Sequence, residues 1–247
     1  MAARDSHEYS ATLSIYIDEM SPSIDPRIAA VAPDFRALSI VVDSGALVDG
    51  ARAGQELELA YRAVARNEPA WAAAHLEAWA EAFRRFGAKP QRTPCSAEAL
   101  RKRVLRDGAL PRVNPVVDLY NAISLRFAVP VGGENLDAYA GRPLLTVATG
   151  AEDFDTMKDG QPAVEHPEPG EVVWRDDGGV TCRRWNWRQG VRTRLGAEAR
   201  RMWFILESLG PMPLEALHEA GGALGDGLRA MMPAARIEAT LISASAG

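Results

Sequence analysis

The sequence predicts an α+β (mixed α/β) fold, and three observations carry that reading. Leu13, Ile15 and Ile17 alternate with Ser14 and Tyr16, as on a half-buried strand. Apolar residues elsewhere recur at spacings of three and four, as on helices. The second half holds two short apolar runs separated by Asp-Asp-Gly-Gly, a strand, turn, strand pattern. Strands mixed with helices along one chain point to layered sheets and helices. With 47% hydrophobic residues in 247, the chain can bury one large core or two modest ones.

The elements follow in order. After the strand at 13–17, residues 37–42 (Ala-Leu-Ser-Ile-Val-Val) read as a second strand. Residues 54–66 are helix-prone. Asn67 and Pro69 then supply a cap and an early-turn proline for a helix with Ala72, Leu76, Trp79, Phe83 and Phe86 on one stripe, ended by Gly87. His75 lies on that stripe and reads as a partly buried structural histidine. Residues 88–95 form a proline-bearing connection, and Ser96 caps a short basic helix to about Arg106. Residues 213–232 read as a helix and 236–243 as a final strand.

Charge and cysteine usage narrow the class. A net charge of −5 is not that of a general nucleic-acid binder, so distribution matters more than the sum. The only lysines are Lys89, Lys102 and Lys158; this arginine bias, with abundant alanine, fits a GC-rich genome, so only the clustering of arginines is informative. One cluster spans Arg183, Arg184, Arg188, Arg192, Arg194, Arg200 and Arg201, and another Arg101, Lys102, Arg103, Arg106 and Arg112. Cys95 and Cys182 suit free thiols in a cytoplasmic protein. Asp5 and Glu8 precede the first apolar run, which argues against a signal peptide, and no run is long enough to span a membrane. His7, His75, His166 and His218 lack metal-ligand spacing, so neither metal nor cofactor is expected.

The most informative helix begins at Asn114, an N-cap followed by Pro115 at the first helical position. At 100° per residue, Val116, Tyr120, Ile123 and Phe127 share one face, while Asn114, Asp118 and Asn121 share the opposite one. That polar face has two readings: capping and loop contacts, or the wall of a ligand pocket. Gly132 and Gly133 in the segment Pro130–Asp137 read as a turn, or as backbone that approaches a ligand closely. Further on, residues 171–175 and 180–184 read as a hairpin leading into Trp185-Asn186-Trp187-Arg188. The two tryptophans are either a core plug with a polar seam or a stacking surface beside phosphate-binding cations.

Several of these stretches, in this order, resemble one family. Residues 113–125 (Val-Asn-Pro-Val-Val-Asp-Leu-Tyr-Asn-Ala-Ile-Ser-Leu) resemble the opening signature of the B3/B4 domain of the phenylalanyl-tRNA synthetase β-subunit, and still more its free-standing relatives. Pro130, Gly132, Gly133 and Asp137, then Glu152 and Phe154, Gly170–Asp176, and Cys182–Arg188 are similar to successive segments of that group. The likeness runs over roughly residues 55–210. It implies a layered β/β/α sandwich with helices packed on mixed sheets around one pocket. It also implies one B3/B4-like domain over 1–247: an α/β portion to about 90, a core over about 91–212, and a helix-strand tail.

In the synthetases this domain hydrolyses tyrosine wrongly esterified to the phenylalanine tRNA. The resemblance therefore implies a trans-acting deacylase of mischarged aminoacyl-tRNA, with tRNA as partner and no DNA or membrane. The alternatives are a non-catalytic module binding tRNA, other RNA or an amino acid, and a hydrolase of a small non-RNA substrate. Two departures reshape the pocket: Pro130–Asp137 lacks the histidine of the synthetase's corresponding turn, and Trp185-Asn186-Trp187 replaces a Met-Gly-Gly-like turn. No Ser-His-Asp pattern or Gly-x-Ser-x-Gly elbow occurs, so a positioned water is expected as nucleophile. Asp118, Asn121 and Asn186 are the candidates for holding that water, and Asn114, Gly132, Gly133 and Trp185 for lining the substrate site. Glu152 or Glu207 would recognise the α-amino group, and Arg183, Arg184, Arg188 and Arg192 would hold RNA phosphates.

Overall fold

A computed structural model describes residues 21–244, and the strand expected at 13–17 lies outside them. The described elements form two sheets and a helical layer. In chain order they are β1 (Ser23–Ile24), α1 (Ile28–Val31), β2 (Arg36–Asp43), α2 (Ala51–Arg66), α3 (Ala72–Arg85), α4 (Ser96–Asp107), α5 (Pro115–Phe127) and β3 (Val131–Asn135). A 3-10 turn at Leu136–Ala138 leads to β4 (Leu144–Val147), β5 (Phe154–Lys158), β6 (Gln161–Glu165), β7 (Val172–Asp176), β8 (Gly179–Arg183) and β9 (Arg188–Gln189). The chain closes with β10 (Arg201–Ser208), α6 (Leu214–Met231) and β11 (Arg236–Ser243).

The larger sheet is mixed, ordered β1-β4-β7-β8-β5-β6 with β9 beside β8. The smaller is antiparallel, ordered β11-β2-β10-β3. It joins strands from both ends of the described chain to the middle. Its central strand β10 explains the layering, because alternate residues of a strand point to opposite faces. Met202, Phe204 and Leu206 pack with Leu119 and Ile123 of α5 and Leu217, Leu224 and Leu228 of α6. Trp203 and Ile205 face the other way, onto Leu145, Val172 and Trp174 of the larger sheet and Trp79 and Phe83 of α3. The order of layers is therefore helices, antiparallel sheet, mixed sheet: an α+β sandwich. Among the described residues no helix is long and apolar enough to cross a membrane.

Local capping corrects three expected boundaries. Asn67 ends α2, its N–H bonding to Ala63 O, rather than starting α3. The α3 helix begins at Ala72, after the Trp71 indole has donated to the Phe127 carbonyl and tied this entry to the end of α5. Cys95, not Ser96, occupies the N-cap of α4, without a side-chain capping bond. The segment expected to turn at Gly132-Gly133 is strand β3, hydrogen-bonded along β10. Glycine is needed there because a Cβ on Gly133 would lie 2.8 Å from the Tyr120 ring and 3.0 Å from Phe204.

His75 is structural. It is fully buried, with Nδ1 2.8 Å from Ala128 O, while Nε2 accepts from Leu209 N and Trp79 Nε1. Two donors on Nε2 require the neutral tautomer protonated at Nδ1. Burial accordingly pushes its pKa down to about 4.

Candidate active site

A cavity of about 290 Å³ opens where the two sheets meet the N-terminal half of α4 and the middle of α5. Its floor is β3 and β10. Ile205 lies opposite Gly132, and a Cβ on Gly132 would press on Ile205 at 3.2 Å, so the missing side chain keeps the floor low. Glu134 is opposite Trp203, and Glu207 is four residues further along β10. Both carboxyls lie on the face shared with Trp203 and Ile205, their backbones separated by about 13 Å at the usual strand rise. Trp174, Cys182, Asn186, Trp187 and Gln189 close the opposite side.

Glu207 is 1% exposed and accepts three hydrogen bonds. Trp174 Nε1 and Trp185 Nε1 donate to Oε1 at 2.9 and 3.0 Å, and Asn186 Nδ2 donates to Oε2 at 2.9 Å. Asn186 is itself fixed, because its Oδ1 accepts from Ser96 N at the start of α4 (3.3 Å). A carboxylate has about four acceptor sites, so one on Oε2 remains for a ligand. Burial drives the Glu207 pKa up to about 7 against these donors, helped by repulsion from Glu134.

Glu134 is 5% exposed, and the buried Tyr139 hydroxyl donates to its Oε2. Burial raises its pKa to about 7, opposed chiefly by that hydroxyl. The cavity thus holds two carboxyl groups poised to exchange protons near neutrality. Strongly perturbed carboxyls in a cleft are a recurrent mark of functional sites. Asn121 adds a side-chain amide that lines the cavity and has no hydrogen-bond partner among the described residues. Gln189 also lines it, its amide donating to Gly133 O at 3.0 Å. Cys182 borders the space, but burial raises its thiol well above the ordinary value, which keeps it protonated at neutral pH.

The backbone that carries Trp185 and Asn186 is unusual. Arg184 and Trp185 are consecutive non-glycine residues with φ of 46° and 64°. Each such conformation costs on the order of 1 kcal/mol. Here it drives Trp185 into the core, edge-on to Phe35 and Trp79, while Asn186 turns to Glu207.

Of the residues expected in the site, Asn121, Gly132, Gly133, Trp185, Asn186 and Glu207 meet at this cavity. Trp185 does so as a fully buried wall, which merges the core-plug reading with the pocket reading. The others lie elsewhere. Asp118 is 2% exposed and binds the Arg112 guanidinium and Val113 N. The polar face of α5 splits because the helix is covered on two sides, by the antiparallel sheet and by α2 and α4. Asn114 caps that helix by accepting from Val117 N at 2.9 Å, and it also donates to Leu195 O.

Glu152 is held by Thr149 and Gly150 amides and lies 3.8 Å from Arg175, away from the cavity. Arg183 is buried and forks onto Glu171, with Glu165 beside it. Arg192 grips Asp176 through both terminal nitrogens. These two arginines serve the fold. Arg184 and Arg188 remain near the rim, with guanidinium groups 4.7 and 5.9 Å from the centre of the Trp187 ring. Glu134 was missed by sequence reasoning, because the Gly-Gly before it reads as a turn rather than as a strand facing a cavity.

The family model of the B3/4 domain matches residues 78–216, more than half of the chain, so this protein belongs to the B3/4 domain family. Among solved structures, the chain is similar to an N-terminal fragment of the phenylalanyl-tRNA synthetase β-subunit from Pyrococcus horikoshii. Identity is 10%, the TM-score is 0.46, and the match covers 89% of this chain and 51% of that one, so this chain spans about half the fragment's length. No curated protein sequence matches it.

Proposed function

We propose that this protein is a trans-acting editing hydrolase that cleaves the ester of a mischarged aminoacyl-tRNA. The observation that carries the reading is the pair Glu134 and Glu207 in one cavity with the unpartnered Asn121 amide. Membership of the B3/4 family supports it, as a domain related to a tRNA-charging enzyme's subunit. The remaining acceptor site on Glu207 receives the substrate's α-ammonium group. Glu134 accepts a proton from a water, whose oxygen attacks the ester carbonyl carbon. The Asn121 amide donates to the oxyanion that forms. Collapse of this intermediate breaks the bond to the terminal ribose, and the proton on Glu134 passes to the departing hydroxyl. The products are a free amino acid and an uncharged tRNA.

A base with a pKa near the working pH is the most effective, typically contributing about 10²–10⁴-fold. A single well-placed oxyanion donor adds about 10²-fold. Aminoacyl esters are already reactive, so positioning supplies much of the rest. Asn186 acts as a positioning residue, since both ends of its amide are already engaged.

The test is a panel of mischarged tRNAs incubated with pure protein and with Glu134→Gln. At least one should lose its amino acid faster with the wild type than in buffer, and Glu134→Gln should slow that loss roughly 10²-fold or more. Activity should rise through about pH 7 as Glu134 ionises. If no tRNA is deacylated above the buffer rate, the hydrolase reading fails, and saturable binding without turnover would make the protein a binding module.

A further inference from the structure

A second cleft, of about 330 Å³, lies beside the cavity and is lined by Lys89, Arg92, Arg184 and Glu171 among others. Two of its cations, Lys89 and Arg92, differ from the other basic residues; Arg184 lies 3.6 Å from Glu171. Arg183 and Arg192 are spent on buried carboxylates, and Arg188 lies 3.5 Å from Glu165. Lys89 and Arg92 are exposed and have no carboxylate within ion-pair distance among the described residues. Their backbone is nevertheless fixed, because Arg92 N and the Thr93 hydroxyl both donate to Lys89 O, at 2.9 and 3.2 Å. Glu171 in the same cleft is shared between the buried Arg183 and Arg184, two cations to one acid, and Glu168 is the one unspent acid there. The cleft therefore presents an excess of positive charge on a molecule whose net charge is −5.

Arg184 joins the two spaces. It lines this cleft, and its guanidinium lies over Trp187, which lines the cavity. Cations that follow a backbone, next to an aromatic ring that accepts a base, are the elements that hold single-stranded nucleic acid.

We propose that Lys89, Arg92 and Arg184 form a phosphate track that leads the single-stranded end of an RNA across Trp187 to the cavity mouth. This deepens the editing reading by assigning the direction from which the acceptor end arrives, and it rests on that reading for the cavity's role. A duplex is disfavoured because the track leads to a cavity whose two carboxyls are at most 5% exposed.

The experiment is fluorescence anisotropy with a short labelled single-stranded RNA ending in CCA and carrying no amino acid, titrated over a range of salt. Lys89→Ala with Arg92→Ala should weaken binding roughly tenfold and reduce the slope of log affinity against log salt by about 1.4, or about 0.7 per lost phosphate contact. Trp187→Leu should weaken binding roughly tenfold while leaving the slope unchanged, because stacking releases no counterions. Arg62→Ala with Arg66→Ala, exposed cations on α2, should change neither.

The proposal is overturned if the Lys89/Arg92 double variant keeps the wild-type slope, or if the α2 control lowers it equally. It is also overturned if the wild type binds a polyglutamate peptide but no RNA, which would indicate an acidic protein partner. Because the probe carries no ester, failure of the deacylation panel leaves this result intact. Loss of the track likewise leaves hydrolysis to be judged by the panel.

Discussion

Replacing Glu207 by leucine removes the one acceptor shared by three buried donors. The Trp174 and Trp185 indoles and the Asn186 amide all point at it from 2.9–3.0 Å. An unmade hydrogen bond on a buried donor costs about 1–3 kcal/mol. Asn186 borders the cavity, so water can reach its amide. The indoles line the same cavity but are only 2% and 0% exposed, so water reaches them far less readily. Two orphaned donors then cost about 2–6 kcal/mol, partly offset because leucine no longer buries a charge. The expected net loss is about 3 kcal/mol, or a drop in Tm of about 6–12 °C for a chain of this size.

Glu207→Gln sharpens the argument. Its oxygen still serves both indoles, but its NH2 meets the Asn186 NH2, and flipping Asn186 only moves the conflict to Ser96 N–H. One frustrated pair costs about 1–2 kcal/mol. Thermal melts followed by near-UV circular dichroism at about pH 8, where the wild-type carboxyl is ionised, should rank wild type above Gln above Leu. A leucine variant melting within about 2 °C of wild type would show that this network does not hold the site together.

Stability should also depend on pH in a way set by three buried groups. Glu134 and Glu207 have folded pKa values raised to about 7 from 4.5, so each stabilises the fold below its unfolded value and loses that contribution as pH rises through 7. His75, lowered to about 4 from 6.5, acts in the opposite sense and loses its contribution as pH falls. Two carboxyls outweigh one histidine, so urea unfolding between about pH 5 and about pH 6.5 should show wild-type stability falling as pH rises. In a Glu134→Gln, Glu207→Gln double variant it should rise instead, and an unchanged slope would place the responsible groups elsewhere. Arg183→Ala leaves the 3%-exposed Glu171 with only the Arg184 N–H and a guanidinium 3.6 Å away and should cost about 3 kcal/mol, whereas the partly exposed pair of Arg188 and Glu165 should contribute less than about 1 kcal/mol. Equal losses in chemical denaturation would contradict that division. Asn114→Ala should cost about 1–2 kcal/mol through its capping bond and leave deacylation per folded molecule unchanged; a selective loss of activity would return Asn114 to the substrate site.

What the sequence made legible depended on the range of the interaction. The α5 start was readable because Asn114 and Pro115 act within one helical turn. Strand β2 and helix α6 were readable because their buried apolar residues run along one continuous segment, and β11, though largely exposed, because its own residues are strand-prone. Boundaries set by a distant partner were not. The start of α3 is fixed by the reach of Trp71 to Phe127, across 56 residues of chain.

The same distinction divides the site. Asn186 was expected beside the water and Glu207 at the α-amino group, and they do meet, 21 residues apart in sequence. Asp118 was expected beside the water as well, yet its partner Arg112 lies six residues away, and the pair closes on itself outside the cavity. Glu134 drew no notice, because its importance comes from register. Pairing opposite Trp203 turns it toward the mixed sheet, whereas a slip of one residue would turn it toward α5. That register depends in part on Gly133, since a side chain there would strike Tyr120 and Phe204. The paired glycines thus carry a signal about the site, though not as a turn: they let β3 pack flush against β10 and α5, which aims the next residue into the cavity. A Gly133→Ala variant that folds should therefore shift Glu134 before it disturbs Glu207, and so lower turnover before it lowers substrate binding.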